Sequence, residues 1–137
     1  MRALLLICGV LWALPGLADE LLIIASPQVP ESAITNKQLA DIFMLTKTSW
    51  NKNTRVVPVN REASSEERKK FSEQVFNLPP QELGEYWNKL KFQGKHPPVI
   101  QTSDQAVLSF VRSVPGAIGY INAKQKPKGV KVLMQIP

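Results

Sequence analysis

The chain is expected to fold as an α/β domain, with a mostly parallel, mixed sheet covered by about four helices. Three observations predict this. Short apolar runs, such as Leu21–Ala25 and Val130–Ile136, alternate with stretches whose apolar residues recur at helical spacing. Three of those stretches open on a Ser/Thr-x-x-Glu/Gln capping box. Finally, Val114-Pro115-Gly116 joins a helical pattern to the apolar run Ile118–Ile121. Pro cannot donate a helical hydrogen bond, and Gly tolerates the positive φ of a tight reversal.

The first apolar run, Leu21-Leu22-Ile23-Ile24-Ala25, is unbroken and bounded by Ser26-Pro27, as in a strand buried on both faces. Thr35 and Gln38 then form a capping box with Ile34 and Leu39 as its staple, and the helix buries Leu39, Ile42 and Phe43. Val56–Val59 reads as a second strand, where Pro58 suggests an edge or an ending. Ser64 and Glu67 open a second helix with Phe71, Val75 and Leu78 inward. Pro79-Pro80 restarts the chain into a third, striped by Leu83, Tyr86, Trp87 and Leu90. After a short strand at Val99–Gln101, Thr102 and Gln105 cap a fourth helix burying Val107, Phe110 and Val111. Gly119, inside the strand that follows Pro115, marks a bulge or a close backbone approach.

Met1–Ala18 has the form of a secretory signal peptide: Arg2, the 12-residue apolar run Ala3–Leu14, then small residues at Gly16 and Ala18. The run is short for a span, which needs ~20 residues. The expected division is therefore 1–18 leader and 19–137 a single domain, not membrane-spanning after cleavage and located in the periplasm. Cys8, the one cysteine, falls in the leader after Ile7, which does not fit a lipoprotein site. Without disulfides, the core alone must hold the remaining 119 residues, enough for one domain and too few for two lobes. Of the basic residues only Arg2 leaves with the leader and all 11 acids stay, so the formal charge of +6 becomes +5. The charges are dispersed, with no basic helix interleaved with aromatics, so nucleic acid is not expected as a partner.

The residue inventory argues against catalysis. His96 is the lone histidine, in the loop Gly94–Pro98, and no second histidine or exported cysteine accompanies it as a metal ligand. No phosphate loop, nucleophile elbow or Ser-His-Asp set can be assembled. The expectation is no enzyme, no cofactor and no metal. One candidate site remains, Asn60-Arg61-Glu62-Ala63-Ser64-Ser65, where a strand delivers Arg61 and a helix begins. Helix N-termini bind phosphate-like anions through free N–H groups. Arg61, Ser64 and Ser65 could add a charge-assisted contact and two hydroxyls. Equally, Ser64 is an ordinary cap and Arg61 a surface residue, and Glu66 and Glu67 place repelling charge in the first turn.

Three stretches then resemble a family, the phosphate-binding proteins of bacterial phosphate ABC importers. Leu39-Ala40-Asp41-Ile42-Phe43-Met44 with Trp50 is similar to its L-x-x-I-F-x-G…W segment. Arg61 through Phe71 is similar to its Arg, short spacer, Ser-Gly-Thr and following Phe. Val114–Tyr120 is similar to its T-P-G-A-I-G-Y. Together they span Thr35–Ile121. The resemblance implies a single lobe of the type II periplasmic-binding-protein fold, with Arg61 as the phosphate-contacting Arg and Ser64 in place of the family Ser. Ser65 stands for the Gly, Glu66 for a phosphate-contacting Thr, and Leu45 for the Gly after Phe43-Met44. The other lobe's phosphate-binding loop has no counterpart before Thr35. A single lobe leaves half of an anion in water, where each contact is worth ~0–1 kcal/mol. The expected function is thus a lobe related to phosphate import, binding phosphate or a similar oxyanion weakly or with a partner. The implied partners are an importer permease, a sensor, a channel or a second copy. The alternative is a non-catalytic envelope adaptor that keeps the fold and has lost its ligand.

Overall fold

The computed structural model describes residues 19–137, so the expected leader Met1–Ala18, with Cys8, lies outside the described residues. Seven strands and four helices follow in the order β1 (Leu21–Ala25), α1 (Asn36–Phe43), β2 (Ser49–Asn51), β3 (Thr54–Arg55), β4 (Val57–Arg61), α2 (Glu66–Phe76), α3 (Pro80–Phe92), β5 (Val99–Gln101), α4 (Asp104–Ser113), β6 (Ala117–Asn122) and β7 (Lys131–Ile136). Five strands form one sheet in the order β5-β4-β6-β1-β7. β5, β4 and β6 are mutually parallel, while β1 is antiparallel to both β6 and β7. Four strands therefore run one way and β1 alone runs against them, which is the mostly parallel, mixed sheet the sequence predicts.

The sheet is covered on both faces, and the alternation of the strands divides the core accordingly. Ile23, Ile118 and Tyr120 face α1 and α2, joining Leu39, Ile42, Phe43, Phe71 and Val75. Ile24, Val59, Ala117 and Ile121 face α4, joining Val107, Leu108 and Val111. Gly119 lies on that second face, and a Cβ there would sit 2.9 Å from Val107 Cγ1. It is therefore a close approach of helix to strand rather than a bulge. α3 lies outside the sandwich. Leu83, Trp87 and Leu90 pack it on Met44, Leu45 and Phe76, and Tyr86 Oη and Trp87 Nε1 donate to the carbonyls of Met44 and Phe43.

Local details depart from expectation in instructive ways. Thr35 and Gln38 form their capping box, but the caps of α2 and α4 are Ser65 and Ser103 rather than Ser64 and Thr102. Ser65 is favoured because its hydroxyl accepts from Arg68 N while donating to the Glu62 carbonyl, closing the preceding turn. Phe110 is only half buried, and Leu108 takes its place in the core. β4 is not an edge strand. Its Pro58 is accommodated because Val57 N donates to Gly116 O on the β6 side, so the missing N–H of the next residue faces β5, which pairs only from Val59 onward. The hairpin β2–β3 has no apolar alternation to announce it. Asn51 Oδ1 closes its turn by accepting from Asn53 N and Thr54 N. Leu45, where the resemblance expects Gly, keeps a glycine-like φ of 64°.

Candidate functional site

The site begins with the parallel strands. Arg61 ends β4 opposite Gln101 at the end of β5, so both strands finish at one edge of the sheet. α2 and α4 start just beyond those ends, at Glu66 and Asp104. In open α/β sheets this carboxyl edge is where ligands bind. Two N-termini aimed at one place add partial positive charge.

The three segments that carry the family resemblance meet directly behind this edge. Phe43, Phe71 and Tyr120 form one aromatic cluster: Phe71 stacks on Tyr120 at 4.1 Å between centroids, and Phe43 meets Phe71 edge-on at 4.7 Å. At the opposite end of the same sheet, where Val57 pairs with Ala117, Trp50 Nε1 donates to Gly116 O at 2.9 Å. Tyr120 Oη accepts from Arg61 N at 3.2 Å and donates a short hydrogen bond to Asn60 Oδ1, which also accepts from Arg61 N. Burial pushes the Tyr120 phenol far above its ordinary pKa, so it remains a neutral donor. Arg68 Nη1 donates to Arg61 O at 3.0 Å, and its guanidinium lies 5.4 Å from the Trp87 ring centroid. The backbone at Arg61 is thus held on every side.

The Arg61 side chain is held too, but by acids. The residue is 7% exposed. Its Nη1 lies 2.6 Å from Asp104 Oδ1 and 3.7 Å from Glu67 Oε2, and its Nη2 lies 2.9 Å from Glu62 Oε1. Three carboxylates share one guanidinium, an excess of negative charge. Burial opposes ionisation of Glu62, yet the hydrogen bond and charge of Arg61 outweigh it and hold its pKa below the ordinary value. Asp104 goes the other way: burial and the charge of Glu67 raise it despite Arg61. Burial disfavours the Arg61 cation, but its bond to Glu62 and the charges of Glu62, Glu67 and Asp104 raise its pKa.

Of the three residues singled out in the sequence, Arg61 faces these carboxylates, and Ser64 and Ser65 line a separate groove of about 440 Å³ to which Arg61 does not contribute. Ser65 is committed to its cap, while Ser64 is exposed. A larger groove of about 670 Å³ runs along α2 beside the Arg61 cluster, where Glu66, Glu67, Glu73 and Asp19 outnumber Lys69 and Lys70. Sequence reasoning missed Asp104, which reads there as an ordinary acid complementing the α4 dipole. Glu62 was inside the candidate segment, and its reach back to Arg61 follows from adjacency at a strand end.

Comparison with known proteins agrees with this architecture. Residues 9–132 match the family model described as PBP superfamily domain. Among solved structures, a Clostridium perfringens protein with bound phosphate, assigned as a phosphate ABC transporter substrate-binding protein, superposes with a TM-score of 0.69 at 24% identity, covering 84% of this chain and 44% of that one. An ABC-type phosphate transport receptor from Vibrio cholerae gives 0.66 at 21% identity, covering 85% and 46%. PstS from Borrelia burgdorferi gives 0.67 at 22% identity, covering 84% and 46%. No curated protein matches. The chain spans less than half the length of these solved structures, so it shares with them the fold of one part. With most of its length matched by the family model and three diagnostic segments packed into one cluster, the chain belongs to the PBP superfamily domain family.

Proposed function

We propose that the chain is a non-catalytic, substrate-binding-type lobe that serves a phosphate-import-related system in the periplasm, with residues 19–137 as its working domain after loss of the leader. Its ligand is phosphate or a similar oxyanion, taken up at Arg61 on the carboxyl edge, with Ser64 and Ser65 contributing from the neighbouring groove only once the segment Glu62–Ser65 rearranges, weakly by the free chain and more tightly with a partner. That partner is an importer permease, a sensor, a channel or a second copy that supplies the donors a second lobe would provide. The observation that carries the reading is the wrapped Arg61. It stands at the carboxyl edge of β4 between two helix N-termini, as a ligand site should, but Glu62 and Asp104 already accept its hydrogen bonds and Glu67 lies 3.7 Å away as a further ion pair. An incoming oxyanion must displace a carboxylate and meet the charge of the others, so its net gain is small. The solved relatives carrying phosphate or named for its transport support the choice of ligand.

The same wrapping favours one second reading, an envelope adaptor that retains the fold without a ligand. Thermal unfolding with added phosphate tests both. A chain with micromolar affinity would gain ~4 kcal/mol at a thousandfold excess. The proposed lobe gains a few tenths of a kcal/mol at about 10 mM phosphate, since its contacts resemble exposed ion pairs. A complete absence of response in that range favours the adaptor. In cells, R61A separates the two again: a phenotype tied to phosphate supply is lost for the lobe and persists for the adaptor. E62Q serves as the companion variant should R61A unfold.

A further inference from the structure

We propose that the C-terminal turn of α3 is a docking surface for an anionic lipid membrane, with Phe92 entering the headgroup layer and Lys89, Lys91 and Lys95 meeting lipid phosphates. This is independent of the ligand reading above. α3 buries one stripe, Leu83, Trp87 and Leu90, and is tied down by the bonds of Tyr86 and Trp87 to the end of α1. Its last residue does the opposite. Phe92 is 94% exposed, the most exposed of the large apolar side chains among the described residues, at a position where a soluble helix gains nothing from an aromatic ring.

The surroundings of Phe92 fit one kind of partner. From Tyr86 to Ser103 the chain has no acidic residue, yet it carries Lys89, Lys91 and Lys95, all exposed, with His96 exposed beside them. Among the described residues none of these lysines forms a salt bridge. Lysines in a last helical turn complement the helix dipole, which accounts for Lys89 and Lys91. It does not account for Lys95 beyond the turn, nor for an aromatic among them. A protruding aromatic set in unpaired cations is complementary to an interface that is apolar within and anionic at its rim, as a bilayer containing acidic lipid is. The connector after Phe92 enters β5 at Val99, the end away from Arg61, so docking here leaves the carboxyl edge open.

The test uses the chain as its host processes it, with vesicles of phosphatidylcholine alone or mixed with phosphatidylglycerol. Co-sedimentation is expected with the mixed vesicles and is expected to weaken with salt. K89Q/K91Q/K95Q should lose about 100-fold in partitioning, at ~1 kcal/mol per lysine, and F92S about tenfold. F92W, which leaves the surface intact, should show a blue-shifted emission quenched by brominated lipid. The proposal is overturned if mixed vesicles do not bind the chain. It is equally overturned if they bind F92S and the triple variant like the parent, or if F92W is unquenched, since attachment then uses another surface. Self-association without lipid that F92S abolishes would identify a second copy as the occupant and also overturn it.

Discussion

Arg61 Nη1 lies 2.6 Å from Asp104 Oδ1, although the two residues are 43 positions apart. The pair forms because β4 and β5 end in register, Arg61 opposite Gln101, and α4 begins three residues later. The strand that presents the cation and the helix that presents the acid are thereby fixed by the same parallel pairing. This contact turns a generic carboxyl-edge site into one whose guanidinium is already paired within the chain. It also couples stability to function: whatever frees Arg61 for a ligand also gives up a buried ion pair.

The helix caps give the simplest check of the local structure. Ser65 caps α2 and Ser103 caps α4, each through its hydroxyl. S65A and S103A should each lower stability by about 1 kcal/mol in denaturant unfolding, whereas S64A and T102A should change it by no more than a few tenths.

The joint between α4 and β6 should tolerate almost nothing. Gly116 has a φ of 80°, and a Cβ there would lie 2.0 Å from Arg55 O. G116A must strain the backbone and push β3 away, at a cost of about 3 kcal/mol. Thermal unfolding should show a fall in Tm of roughly 10 °C or more. W50F, which removes the donor to Gly116 O and leaves that bond unmade, should cost about 1–2 kcal/mol.

Acid should read out the two nearest of the carboxylates on Arg61, Glu62 and Asp104, separately. In a carboxyl NMR titration Glu62 is expected to protonate below the ordinary range and Asp104 above it. The signs for stability then differ. Glu62, lowered on folding, contributes stability that is present above its unfolded value, near 4.5, and is lost as pH falls through its folded value. Asp104, raised on folding, contributes stability that is present below its unfolded value, near 3.8, and is lost as pH rises through its folded value. Urea unfolding followed from neutral pH into that acid window should fall less steeply for E62Q than for the parent.

Much of this fold was legible in the sequence because its signals are local. The β1 run, the Thr35 capping box, the Pro80 restart of α3 and the Pro115-Gly116 turn each follow from residues within a few positions of one another. Gly119 was legible as an anomaly, and the structure supplies its reason in Val107. The hairpin β2–β3 was not legible, because its turn rests on one side-chain bond rather than on apolar alternation. The candidate site divides in the same way. Arg61 and its place before a helix could be read off the chain, and so could the repelling Glu66 and Glu67. Asp104 could not, because only tertiary register brings it to Arg61. The exchange of Gly for Leu45 at a φ of 64° shows the converse: the backbone holds a conformation its residue does not advertise, supported by packing against α3.

The central claim is that the lobe keeps its oxyanion site and occupies it with its own carboxylates. Calorimetric titration of phosphate into the parent chain and into E62Q/D104N, both confirmed folded, tests this most directly. The parent should show no saturable heat below about 1 mM, because its contacts are worth no more than exposed ion pairs. The variant, with Arg61 released from its two nearest acids, should bind roughly tenfold more tightly or better. Micromolar binding by the parent, or a variant with no gain over it, would contradict the account.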